Sequence, residues 1–372
     1  MKIALILGTR PEAIKMAPVY FELKKRGEQA DIISTGQHRQ MLDQALQIFD
    51  IKPKFDLQVM TDRQSLSLLT QKIIAGLQEL FDREKYDVVL VQGDTTTSLC
   101  GALVSFYNKI PVGHIEAGLR TNNIYDPFPE EINRRLTSKI ASINFAATAV
   151  SADNLLKEGI TEKSIFITGN TVIDSIKWIQ KNKTFDTTAV RQKYNVANGK
   201  YILMTLHRRE NHGKPMEEIF RAVKKFLQAN PEYKLLFPVH MSPTVREFVY
   251  KNMDGVKNVI LTQPIDYIDF IALMSESSFI LTDSGGIQEE APTFGIPTVV
   301  LRNTTERTEA VSAGTAILAG TSEKEILLCL DCMTTEKCSH IAKIKNPYGD
   351  GNASQKIADV LQSYLKNPKR LL

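Results

Sequence analysis

Short apolar runs rich in β-branched residues recur along the chain, each followed by a longer stretch whose apolar residues return every three or four positions. A run of the first kind suits a strand covered on both faces, and the second suits a helix with one buried stripe. Their alternation predicts parallel sheets flanked by helices. In the first half, strands are predicted at residues 2–7, 30–34, 87–91, 112–115, 143–146 and 164–167. In the second they are predicted at 201–205, 234–238, 256–261, 279–281 and 297–301. Two similar α/β lobes result. The division is expected at Gly169 and Asn170, because the strand ending near Thr168 closes the first lobe and the polar stretch 181–200 precedes the next strand. The first lobe is then 1–169 and the second 170–352, with a final helix in about 353–372 expected to pack back on the first. No fixed-period repeat and no low-complexity tract interrupts this plan.

The length of 372 residues agrees with two domains of ordinary size and with a cleft between them, the usual place for a small ligand. A composition 43% hydrophobic and 24% charged sets disorder aside. The net charge of +4 is spread among acidic residues without a basic block, so nucleic acid is not an expected partner. The N-terminal apolar run is too short for a signal peptide, and no segment approaches the roughly 18 apolar residues of a membrane span. A cytoplasmic protein without a membrane partner is expected. Cys329 and Cys332 form one C-x-x-C, with Cys338 and His340 close behind. A single such pair on a helical pattern reads as reduced, non-catalytic thiols rather than as a zinc site.

In open parallel sheets ligands lie beyond the carboxyl ends of the strands, and here those positions are polar. After the first strand comes Gly8-Thr9-Arg10-Pro11-Glu12, with Lys15 one turn on. Arg10 at a helix start suits a diphosphate, or equally a surface carboxylate. The absence of G-x-G-x-x-G gives no dinucleotide fingerprint. Asp94 follows the strand at 87–91, Glu116 the strand at 112–115, and Glu130 with Glu131 opens a predicted helix. Each acid is either a helix-start residue favoured by the dipole, the better reading for Glu131, or one of several carboxylates gathered for chemistry. In the second lobe His207, Arg208 and Arg209 follow a strand, and Asp283-Ser284-Gly285-Gly286 follows another, with Glu290 near the end of the turn. Ser284 is expected to cap the helix while the glycines let a phosphate approach backbone N–H groups, and Glu290 could accept from ribose hydroxyls.

Taken in order, G-T-R-P-E-A-I-K-M-A-P (8–18), G-D-T-T-T (93–97), H-I-E-A-G-L-R-T (114–121) and P-F-P-E-E-I-N-R (127–134) resemble the non-hydrolysing UDP-N-acetylglucosamine 2-epimerases. So do G-N-T-V-I-D (169–174), H-R-R-E-N (207–211), D-S-G-G-I-Q-E-E-A-P (283–292) and N-P-Y-G-D-G (346–351). The resemblance implies two Rossmann-like domains with a central cleft, as in GT-B glycosyltransferases, no cofactor and no metal. It implies that Arg10, Ser284, Gly285, Gly286 and Glu290 hold UDP, with Lys15 in the same group. Asp94, Glu116 and Glu130 would surround the sugar, and His207 would act near the diphosphate. It further implies C2 epimerisation through loss and return of UDP, a homodimer, and a role in envelope polysaccharides. A second, activating substrate molecule would be met by Gln37, Gln40, Arg63, Gln64, Arg208 and His240, although a polar interdomain surface would look the same. A glycosyltransferase, a non-catalytic nucleotide-sugar sensor and a hydrolysing variant remain the rival readings.

Overall fold

The computed structural model describes residues 1–61, 64–197, 199–334 and 341–366. The first sheet contains β1 (Lys2–Leu7), β2 (Gln29–Ser34), β3 (Phe55–Asp56), β4 (Val88–Gln92), β5 (Val112–Ala117), β6 (Ile143–Ala146) and β7 (Ile165–Ile167). All seven strands are parallel, in the order β3-β2-β1-β4-β5-β6-β7. Every residue of β4 is buried, which is why that run shows no polar alternation. Crossovers are made by α1 (Arg10–Lys25), α2 (Arg39–Ile48), α3 (Leu66–Arg83), α4 (Thr96–Tyr107), α5 (Glu130–Ile140) and α6 (Ala149–Lys157), followed by α7 (Thr171–Asn182). On one face Ile73, Leu77 and Phe81 of α3 pack with Val89 and Val91 of β4.

The second sheet contains β8 (Lys200–Thr205), β9 (Tyr233–Pro238), β10 (Val259–Thr262), β11 (Phe279–Thr282), β12 (Thr298–Val300) and β13 (Ala316–Leu318). It too is parallel throughout, ordered β10-β9-β8-β11-β12-β13. Its helices are α8 (Thr187–Lys193), α9 (Lys214–Ala229), α10 (Pro243–Met253), α11 (Tyr267–Ser275), α12 (Gly285–Glu290), α13 (Thr308–Ala313) and α14 (Glu323–Met333), and α15 (Ala353–Lys366) ends the described chain. In both sheets the strand order reverses direction beside the first strand, as in dinucleotide-type Rossmann folds, so each domain has its own switch point. The protein is thus built from two Rossmann-like α/β domains of GT-B type. Among the described residues no helix is long and apolar enough to cross a membrane.

Three details differ from the sequence expectations. The strands β3 and β13 were not predicted; they are two and three residues long and too short for a periodic signal. The strand expected to start at 256 starts at 259, because Val259 N–H bonds back to the Val256 carbonyl and Asn258 takes φ +65°. The compact units are 1–178 with 348–372, and 179–347, so the division falls inside α7 rather than at Gly169 and Asn170. Packing explains this. Trp178, at the start of the third turn of α7, stacks on Phe21 of α1 at 4.8 Å and lies 5.3 Å from Phe49. Asp174 of the same helix accepts from the N–H of Ala353 (3.2 Å) and of Ser354 (2.8 Å), which fastens the start of α15. Midway along α15, Asp359 pairs with Arg26, the residue that caps the C-terminus of α1 (2.6 Å).

Candidate active site

The tips of β1, β2 and β4 in the first unit meet at Gly8. A Cβ built there would lie 2.3 Å from Thr35 Oγ1 and 2.4 Å from Thr97 Oγ1, so only glycine fits. Those two hydroxyls bond each other at 2.9 Å, and Gln37 Oε1 accepts from Thr97 Oγ1 at 2.8 Å. Beneath them Glu12 is buried. It accepts from Gly8 N and Thr9 Oγ1 of one turn (3.0 and 2.7 Å) and from Thr95 Oγ1 and Ser98 Oγ of another (2.7 and 3.0 Å). Burial pushes its carboxyl above the usual range, against the pull of those donors. Glu12 therefore ties the two turns together.

Arg10 is the first residue of α1, is exposed, and its guanidinium has no partner among the described residues. Lys15 faces inward, and its Nζ donates to both oxygens of Glu116 at 2.8 and 2.7 Å. Gln92 Nε2 also donates to Glu116. Glu116 sits where the register of β5 on β6 slips between Ile115 and Ala117, and its φ is +65°. A non-glycine residue in that region is uncommon, and a bulge of this kind re-aims a side chain. The bulge is what turns Glu116 toward Lys15.

Asp94 stands beyond β4, the strand adjacent to β5. Arg134 Nη2 bonds its Oδ2, and Asn133 Nδ2 donates to its backbone carbonyl at 3.0 Å. The Asp94 side chain is 27% exposed, whereas Arg134 is buried. His114, wholly buried in β5, holds the same turn from behind. Its Nε2 lies 2.7 Å from the Gly93 carbonyl, which can only accept, so Nε2 carries the hydrogen and Nδ1 accepts from Ser138 Oγ at 3.1 Å. Burial lowers the ring to about 4, which fixes it neutral. Glu130 is the half-buried first residue of α5, while Glu131 is fully buried and accepts from Thr121 N (3.1 Å) and Arg135 Nε (2.9 Å). Glu131 is thus structural.

In the second unit the switch point lies between β8 and β11. Asp283, buried, accepts through Oδ2 from His207 N (2.9 Å), Arg208 N (2.8 Å) and Asn211 Nδ2 (3.0 Å). Burial opposes its charge, but His207 and those N–H groups outweigh it and hold the carboxyl below the usual range. The His207 ring stacks on His240, with centroids 5.4 Å apart. Ser284, expected to cap α12, makes no side-chain cap; its N–H instead donates to Thr282 Oγ1 at 2.9 Å. Gly285 is crowded by Arg307, whose guanidinium carbon would lie 2.9 Å from a Cβ, and Gly286 lies in the first turn of the same helix. Arg307 is itself held by Glu289 (2.9 Å) and Glu306 (2.5 Å). Glu290 Oε1 accepts from Tyr267 OH at 3.0 Å.

The structure thus gathers Lys15, Gln37, Asp94 and Glu116 in the first unit, and His207, Arg208, His240, Ser284 and Gly285 around the switch point of the second. Other expected residues lie apart. Gln40 is exposed in the first turn of α2, and Gln64 turns back to accept from Thr61 Oγ1 at 2.9 Å. Within the second group, the Arg208 guanidinium is 3.8 Å from Glu306. Arg63 lies outside the described residues, as do Cys338 and His340. Cys329 and Cys332 are free thiols on α14, and among the described residues no three His, Cys, Asp or Glu side chains gather as a metal needs. Arg134, Gln92, Arg307 and the hub role of Asp283 were not anticipated, since Asp94, Glu116, Glu289 and His207, which they respectively meet, are distant in sequence. Arg134 left a trace four residues after Glu130 in the P-F-P-E-E-I-N-R run, and Asp283 left one as the first residue of D-S-G-G.

The first unit therefore offers carboxylates already held by buried cations, an arrangement suited to proton transfer or to stabilising positive charge. The second offers N–H groups, a histidine and arginines, which suit an anion.

The family model described as UDP-N-acetylglucosamine 2-epimerase matches residues 22–362. The Bacillus subtilis UDP-N-acetylglucosamine 2-epimerase is 48% identical over 370 residues, covering 97% of this chain and 95% of that protein. The crystal structure of UDP-GlcNAc 2-epimerase from Neisseria meningitidis bound to UDP-GlcNAc superposes with a TM-score of 0.92 at 45% identity, covering 98% of this chain and all of that one. The glycotransferase of kitacinnamycin, 10% identical with a TM-score of 0.65 and covering 97% and 98% of the two chains, shares the fold alone. With a family match over residues 22–362 and relatives near half identity over nearly the whole chain, the chain belongs to the UDP-N-acetylglucosamine 2-epimerase family.

Proposed function

We propose that this chain interconverts UDP-N-acetylglucosamine and UDP-N-acetylmannosamine by eliminating UDP and adding it back. The hydrogen on C2 of an intact sugar has no neighbouring carbonyl and is not acidic, so the anomeric C–O bond must break first. Positive charge then grows on the ring, where Asp94, Glu116 and Glu130 stabilise it as carboxylates do in glycoside hydrolysis. One carboxylate takes the C2 proton and leaves 2-acetamidoglucal beside UDP; Asp94 Oδ1, which has no hydrogen bond among the described residues while Arg134 holds Oδ2, suits that task. Return of a proton to the other face, followed by UDP, gives the epimer. Arg10, Lys15, Ser284, Gly285, Gly286 and Glu290 hold UDP in this reading, Arg307 joins them, and His207 meets the diphosphate. The supporting observation is the Glu116 carboxylate, kept at φ +65° and gripped by Lys15, beside the tip that carries Asp94.

The same family reading carries a cytoplasmic homodimer that works without a cofactor, serves envelope polysaccharides, and is activated by a second substrate molecule at Gln37, Gln40, Arg63, Gln64, Arg208 and His240. NMR of the purified protein with UDP-N-acetylglucosamine in heavy water tests the chemistry. Both epimers should appear with deuterium at C2. Substrate left unchanged and unlabelled would sink the proposal, and free N-acetylmannosamine would mark a hydrolase.

A further inference from the structure

Asp283 is a buried carboxylate that the proposed chemistry leaves without a task. Its Oδ2 binds the backbone of the 207–208 turn, and its Oδ1 lies 3.1 Å from His207 Nδ1. Oδ1 has no aligned hydrogen-bond donor among the described residues, yet a carboxylate has no hydrogen to give, so the ring nitrogen beside it is the one that carries the hydrogen, and the neutral ring keeps its lone pair on Nε2. The other neighbours do not compete for that nitrogen. His240 meets the ring face to face, and its own Nδ1 is occupied by the N–H of Ser242 at 3.2 Å. Arg208, next along the chain, lies 3.8 Å from Glu306.

We propose that Asp283 is a positioning residue, fixing the His207 tautomer so that Nε2 is the atom that exchanges a proton with the departing diphosphate. This rests on the reading of His207 given above. As the C1–O bond breaks, its electron pair leaves with the oxygen. That oxygen takes the proton from Nε2 of the imidazolium, which becomes neutral imidazole. On return of UDP the proton goes back to Nε2 as the C1–O bond reforms. Throughout, Nδ1–H stays on Asp283, whose negative charge balances the imidazolium.

The test is nitrogen NMR of protein labelled with 15N-histidine, the His207 signal being identified among six histidines by its loss in His207→Gln. Neutral wild-type His207 should carry its hydrogen on Nδ1; a hydrogen on Nε2 overturns the proposal. In Asp283→Asn the amide oxygen can still accept from the 207–208 backbone while the NH2 faces Nδ1, so the ring hydrogen should move to Nε2. With that change kcat should drop about a hundredfold while KM stays within about threefold. Wild-type kcat and pH profile in a folded Asp283→Asn would refute positioning. Undiminished kcat in His207→Gln would instead overturn the role of His207 at the diphosphate, whatever its tautomer, so the two failures are distinguishable.

Discussion

The Lys15 and Glu116 pair allows a prediction whose size follows from burial. Their side chains are only 10% and 11% exposed, and the ammonium contacts both carboxylate oxygens. Removing one member of such a pair leaves an uncompensated charge, which costs about 3–5 kcal/mol in a sealed site. Here some solvent reaches both groups and Gln92 still donates to the carboxylate, so about 3 kcal/mol is expected for Lys15→Met. For a unit of this size that lowers the melting temperature by roughly 6–12 °C. Glu116→Gln alone should cost less than Lys15→Met, because the amide oxygen still accepts from Lys15. The double variant Lys15→Met with Glu116→Gln removes both charges and should recover at least about 2 kcal/mol of the Lys15→Met loss. Scanning calorimetry of the four proteins, with urea denaturation as a check, reads these differences. If Lys15→Met melts within about 1 °C of wild type, or the double variant is no better than Lys15→Met, the pair is not the buried contact described.

Three further outcomes follow from other residues. His114 is held neutral to about 4 by burial, whereas an unfolded histidine titrates near about 6.5, so the unfolded chain binds the proton first. Its contribution is therefore complete above about pH 6.5 and is lost as pH falls toward 4, by up to roughly 3 kcal/mol; urea midpoints of His114→Gln should flatten in that window, and an unchanged slope would contradict this. Gly8→Ala drives a methyl to 2.3 Å from Thr35 Oγ1 and should destabilise the protein by at least about 1–3 kcal/mol in urea denaturation, with no loss telling against the crowded strand tips. Asp94→Asn should lower epimerisation at least about a hundredfold while UDP binding by calorimetry stays within about threefold, and wild-type turnover would remove Asp94 from the chemistry.

What the sequence revealed followed from how far each signal extends along the chain. The strands at 2–7 and 143–146 lie where their apolar runs predicted, because a wholly buried strand has to be apolar at nearly every position. The residues beyond the strands were legible for a topological reason, since parallel sheets present their C-terminal tips to ligands whatever the ligand is. What those residues touch was not. Lys15 and Glu116 are 101 positions apart, and His207 and Asp283 are 76 apart, so no local pattern encodes either contact. Asp283 looked like part of a helix start, yet its carboxylate points back to a turn on another strand. The extent of the first unit was hidden similarly, because Trp178 belongs to it through Phe21 and Phe49, neither of which is near it in sequence.

The clasp of Asp174 on the first turn of α15 bears on how the chain is made. A ribosome releases the segment before Trp178 long before it reaches Tyr348, so the N-terminal unit must wait, with the surface of α1 uncovered, for its last helix. The intervening 179–347 unit is continuous and can complete its own sheet during that interval. Synthesis thus reverses the order of appearance: the unit that begins first finishes last. A nascent chain stopped just short of residue 348 should show a protease-resistant second unit and a labile first one.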